Sequence, residues 1–178
     1  MSTPASATGS PAGAAAGAAD ARASRELLRH TVATLAYRGA KSVAGAPKGF
    51  AEFRVGESTR TPAEILSHIG DLLDWALALA EGHYRWNQAP VGPWDELVQR
   101  FFTALATFDE YLASDRPLSW SAECLFQGPI ADALTHVGQV TMLRRLAGSP
   151  VRGENYAKAE ITAGRVTATQ AAPKVEFD

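Results

Sequence analysis

Residues 61–71 read Thr61-Pro62-Ala63-Glu64-Ile65-Leu66-Ser67-His68-Ile69-Gly70-Asp71. Thr61 and Glu64 form a capping box, with proline at the first helical position. The Thr61 hydroxyl can accept the Glu64 backbone N–H, and the Glu64 carboxylate can accept the Thr61 N–H. Ile65, Ile69, Leu72, Leu73, Ala76 and Leu77 then recur on one broad helical face, and Gly82 is a natural stop. A capped, amphipathic helix of this length asks for helical partners.

The rest of the chain supplies them. Upstream, a helix is expected to begin after Asp20 or Ser24 and to carry Leu28, Val32 and Leu35 inward, running to Tyr37 or on to Val43 with Gly39 inside it. Downstream, a third helix is expected to start at Gly92-Pro93, with Asp95 and Glu96 in its positive first turn and Trp94, Leu97, Val98, Phe101, Leu105, Phe108 and Leu112 at helical spacing. A fourth is expected from Gly128-Pro129, with Ile130, Ala133, Leu134, Val137 and Val140 as its core stripe and Gly148-Ser149-Pro150 as its close. No segment alternates in the manner of a strand. The expectation is an all-α fold, a four-helix bundle, with the long connection from residue 39 to residue 60 crossing over.

Composition agrees with one globular domain: 178 residues, 46 % hydrophobic and 20 % charged. Residues 1–19 are almost only Ala, Gly, Ser, Thr and Pro and are expected to be disordered, residues 20–147 to form the bundle, and residues 148–178 to be an irregular tail lying over it or leaving it, with a short helix near Asn155. The N-terminal segment lacks the basic start and apolar stretch of a signal peptide. The apolar run at residues 72–80 is broken by Asp74 and is too short for a bilayer. A net charge of -2 offers no field to hold nucleic acid or an anionic membrane. The single Cys124 excludes an internal disulfide and a cysteine-based zinc cluster, and its default is a buried, inert thiol. A cytoplasmic protein is expected, with no nucleic-acid or membrane partner. A bundle of this size is also expected to pair as a homodimer.

Three residues stand out chemically. His68 has Ile65, Leu72 and Trp75 at i−3, i+4 and i+7, so it points inward. Asp132 and His136 sit one turn apart on one face of the fourth helix. Together they offer a carboxylate and two imidazoles to one metal ion, with positions left for water or substrate. The bland account stays open beside this one: His68 as a hydrogen-bonded core residue, Asp132 as a carboxylate favoured by its helix dipole, His136 as its i+4 partner.

The two motifs, residues 61–71 and Asp132-Ala-Leu-Thr-His-Val-Gly-Gln139, resemble those of the DinB-like (DinB/YfiT-like) metalloenzyme superfamily over residues 27–147. In that family the second helix carries an inward histidine, a role that falls on His68. The fourth helix reads His-x-x-x-His before x-Gly-Gln. The second histidine of that motif falls on His136, and the first falls on Asp132, a departure from the commonest pattern. A carboxylate there resembles the branch with mycothiol-dependent maleylpyruvate isomerases. The resemblance implies a divalent metal ion, zinc or nickel, held by His68, Asp132 and His136. It also implies a low-molecular-weight thiol and a small electrophilic substrate for a transferase or isomerase. Many relatives are known only as damage-inducible proteins, so a non-catalytic, stress-associated metal- or ligand-binding bundle is the alternative.

Other residues are assigned plainer roles. Glu64 is read as a cap and Asp71 as solvated, although either can hold the His68 ring. His30 and His83 are read as surface residues. Arg144, oddly placed on the Val137–Val140 stripe, is read as a snorkelling stem or ion pair, with an anion grip as the sharper alternative. Lys48, Arg54 and Arg60 are read as scattered exposed charges. Trp75, Trp86, Trp94 and Trp120 can line a pocket, although aromatics at this spacing are more often core.

Overall fold

The structure, a computed structural model, describes residues 11–177. It is mostly helical. Its main elements are α1 (Pro11–Val43), α2 (Pro62–Ala80), α3 (Trp94–Ala113), a short α4 (Ala122–Leu125) and α5 (Ala131–Leu146). α1 and α2 each pack chiefly against α3 and α5, which puts them at opposite corners of the helical core. The chain between them therefore crosses over. It is pinned midway by Phe50, buried in a single 3₁₀ turn (Phe50–Glu52) and edge-on to Trp94 at 5.5 Å. No helix among the described residues is long and apolar enough to cross a membrane.

The capping box of α2 is formed: Glu64 N–H donates to Thr61 Oγ1 at 3.1 Å, and Thr61 N–H donates to Glu64 Oε2 at 2.7 Å. The predicted apolar faces make the core. Leu28, Val32, Leu35, Ile69, Leu72, Leu73, Phe101, Leu105, Phe108 and Val140 are all buried. Gly39, inside α1, has a packing reason, because a Cβ there would lie 2.5 Å from the Phe101 ring.

Two helix starts differ from expectation. α1 begins at Pro11 rather than after Asp20 or Ser24, so it overlaps the segment expected to be disordered; residues 1–10 lie outside the described residues. Alanine is the residue that costs least to hold in a helix, and it needs no buried face to do so. The helical stretch that ends in α5 begins at residue 122, not at Gly128-Pro129. Ser121 caps it by accepting the Cys124 N–H at 3.3 Å. Pro129 lies inside a π-helical segment (Phe126–Ile130) joining α4 to α5. Proline has no N–H to give the i−4 ladder, and the wider π turn lets the helix continue past the gap.

Beyond α5 the tail folds back on the bundle. Asn155 caps a short 3₁₀ turn (Tyr156–Lys158), close to where a short helix was expected. β1 (Gly153–Glu154) pairs antiparallel with β2 (Glu176–Phe177), Glu154 opposite Glu176. The buried Glu154 accepts from Tyr37 Oη at 2.8 Å and from Lys41 Nζ at 2.9 Å, and Lys41 also reaches Glu176 at 3.0 Å. That pairing pushes the Tyr37 hydroxyl well above the usual phenol range, through burial first and the Glu154 hydrogen bond second.

Among the described residues Arg144 is engaged by backbone carbonyls and the Ser149 hydroxyl rather than by a carboxylate. It is 5 % exposed, and its guanidinium donates to the carbonyls of Ser42 (3.1 Å), Ala44 (2.7 Å), Gly45 (3.1 Å) and Ser149 (3.0 Å). It gathers the open carbonyl ends of α1 and α5, where a cation is favoured.

Candidate metal centre

α2 and α5 pack together, and their inward faces bring His68, Asp132 and His136 to one place. One ligand atom from each lies within 4.8 Å of the others. His68 Nε2 is 3.9 Å from Asp132 Oδ2. The two imidazoles are 4.7 Å apart between centroids. Two ligands of one tetrahedral ion sit about 3.4 Å apart, so side-chain shifts of about 1 Å close the set. The donors, two imidazoles and a carboxylate, suit zinc, nickel or cobalt.

His136 is already oriented for such a role. Its Nδ1 lies 3.0 Å from the Asp132 backbone carbonyl oxygen and 3.2 Å from Asp132 Oδ1. Both are acceptors, so the ring proton belongs on Nδ1 and the lone pair on Nε2. Burial, then the neighbouring His136 and Arg60, push the His68 pKa below the ordinary histidine value, and Asp132 and Asp71 only partly oppose this. A neutral imidazole is the form that ligates.

The π segment bears on Asp132. The Ala131 N–H is engaged by the carbonyls of Gly128 and Phe126, so Asp132 does not face an open helix N-terminus. The dipole account of this carboxylate is weakened. Asp132 remains nearly half exposed, with its side chain at 46 %.

Two open depressions flank the cluster. One, of about 370 Å³, is lined by His68, Ser67, Arg54 and Gln88; the other, of about 410 Å³, by His136, Gln139 and Met142. Thr59 and Arg60 line both. Ser67 keeps a buried hydroxyl without a protein partner beside His68. Arg60 was read from sequence as a scattered charge, yet it stands between the two depressions. Nothing in a single arginine before a cap residue signals this.

Asp71 is the clearest correction. It is 2 % exposed, not solvated. Its Oδ1 accepts from Arg100 at 2.7 Å and from the Ala89 N–H at 3.2 Å. Arg100 crosses α2 over Gly70, where a Cβ would lie 2.8 Å from the guanidinium. Asp71 thereby ties down the segment between α2 and α3. That segment carries Trp86, whose ring lies edge-on to His68 at 5.7 Å. Glu64 serves its cap and pairs with Arg54 at 2.9 Å. His30 and His83 are exposed, and Cys124 is half-buried rather than buried. Trp94 is half-buried and packs against the core. No family model matches the chain, and no curated protein or solved structure matches it.

Proposed function

We propose that this chain is a metal-dependent enzyme with a DinB-like four-helix bundle, acting as a thiol-dependent transferase or isomerase on small electrophiles. The observation that carries the reading is the convergence of His68, Asp132 and His136 between two depressions of small-molecule size. A divalent ion held there, zinc or nickel, would favour thiolate over thiol in a thiol bound to it.

The residues of the chain do the rest. His68, whose pKa is lowered by burial, presents a neutral nitrogen, His136 presents a second ring nitrogen, and Asp132 offsets part of the charge. Asp132 also holds the His136 tautomer through its backbone carbonyl. Arg60, shared by both depressions, favours an anionic thiol or substrate. In the transfer step the thiolate sulfur forms a bond to the electrophilic carbon. The π bond at that carbon breaks and its electron pair moves onto the substrate, which then expels its leaving group (chloride from 1-chloro-2,4-dinitrobenzene) or, where it has none, takes a proton from solvent; the thiol proton has left to solvent.

The test is conjugation of a low-molecular-weight thiol to 1-chloro-2,4-dinitrobenzene, followed by absorbance with zinc or nickel and again with chelator. The proposal expects turnover that chelation abolishes and that His136→Ala lowers at least 100-fold. Metal binding without any thiol transfer would favour the non-catalytic alternative.

A further inference from the structure

The sequence between α2 and α3 has no regular secondary structure, yet it delivers Tyr84 and Trp86 to one side. Both meet Trp75 of α2 edge-on, at 6.4 Å and 5.8 Å between centroids. Tyr84 also lies 6.0 Å from Trp120. Trp86 closes the row against His68. The result is a line of four aromatic rings that ends on a candidate metal ligand.

These rings are open to solvent: Tyr84 is 76 % exposed, Trp86 45 % and Trp120 38 %. Leaving such large apolar surface in water is unfavourable. In an edge-to-face pair, one ring gives only its edge, so its faces stay free for a further ring. The wall is also held in place. Ala89 is fixed by the buried Asp71–Arg100 pair, three residues from Trp86. A fixed row of rings contiguous with the His68 imidazole suits one planar group attached to a metal-binding atom. A protein partner would more usually meet a broader, mixed apolar face.

We propose that Trp75, Tyr84, Trp86 and Trp120 form a wall that takes the aromatic part of a small molecule whose donor atom reaches the His68–Asp132–His136 site. This rests on the metal reading above and adds the substrate class: an aromatic, metal-coordinating molecule. Trp86 is the contact nearest the metal ligands.

The test uses the full chain loaded with cobalt(II), whose visible spectrum reports ligand changes. Benzohydroxamate, cyclohexanecarbohydroxamate and acetohydroxamate are titrated as probes. The proposal expects benzohydroxamate to bind about tenfold tighter than acetohydroxamate, and clearly tighter than the cyclohexane compound. Trp86→Ala is expected to bring the benzo-to-aceto ratio below threefold, and Trp86→Phe to keep most of it. Tyr84→Ala, at the most exposed ring, gives a second reading if Trp86→Ala folds poorly. Failure to take up cobalt overturns the metal reading and this inference with it. Cobalt uptake with equal affinities, or with no spectral response to any probe, overturns the inference and leaves the metal reading standing. Equal binding of the benzo and cyclohexane compounds removes the aromatic class. A dimer in sedimentation that Trp86→Ala dissociates, with the probe ratio unchanged, reassigns the rings to an interface and overturns the inference.

Discussion

His136 Nδ1 lies 3.0 Å from the backbone carbonyl oxygen of Asp132, one helical turn earlier, as well as 3.2 Å from its carboxylate. The carbonyl contact survives any change of the Asp132 side chain. Asp132→Ala should therefore remove a ligand without releasing the His136 ring. Metal affinity is expected to fall at least about tenfold. Nitrogen-15 spectra should still show the proton on Nδ1. Asp132→His should retain binding, with a preference shifted towards softer ions.

The pH dependence follows from His68. Its pKa is below the ordinary value in the folded protein, chiefly through burial. In the unfolded chain it returns to about 6.5. Between those values the unfolded chain holds the proton and the folded one does not. Metal-free protein should lose stability as pH falls from about 6.5, and the loss should level off below the folded pKa. Thermal melts in chelator across pH 4.5 to 8 check this. His68→Ala should flatten that part of the profile.

Arg144 and the metal site are separable. Arg144→Met would leave the carbonyls of Ser42, Ala44 and Gly45 without their buried donor. Urea denaturation should show a loss of about 2–4 kcal/mol. Metal affinity at pH 7.5 should change less than twofold.

The Asp71–Arg100 pair predicts an asymmetry. Arg100→Ala strands a carboxylate that is 2 % exposed, whereas Asp71→Ala leaves Arg100 its second partner, Asp74, at 2.6 Å. Arg100→Ala should cost about 3 kcal/mol and Asp71→Ala roughly half that. Both should speed hydrogen exchange at Ala89, whose N–H loses its acceptor or the support behind it.

What the sequence disclosed depended on how local each signal is. Thr61 and Glu64 cap each other within one turn, so the α2 start was legible to the residue. Leu28, Val32, Ile69 and Phe101 declared their faces by period alone. Pro129 misled, because a proline marks a helix start only when no π turn carries the ladder past it. Asp71 misled because its partner, Arg100, comes from another helix, and no spacing within α2 reveals it. The position of Trp86 beside His68 was invisible for the same reason: residues 83–93 have no period, and only the tie from Asp71 to Ala89 sets where they lie. His68, Asp132 and His136 were legible as a set because helical spacing put His68 inward and Asp132 and His136 on one face, and a facial set of three ligands called for pairing the two helices.

An anomalous difference map from crystals of tag-free protein loaded with zinc or nickel, collected above and below the metal edge, tests the metal centre most directly. The account predicts one peak, about 2.0–2.2 Å from a nitrogen of His68, Nε2 of His136 and a carboxylate oxygen of Asp132. No peak there, or a peak at the exposed His30 or His83 instead, would contradict it.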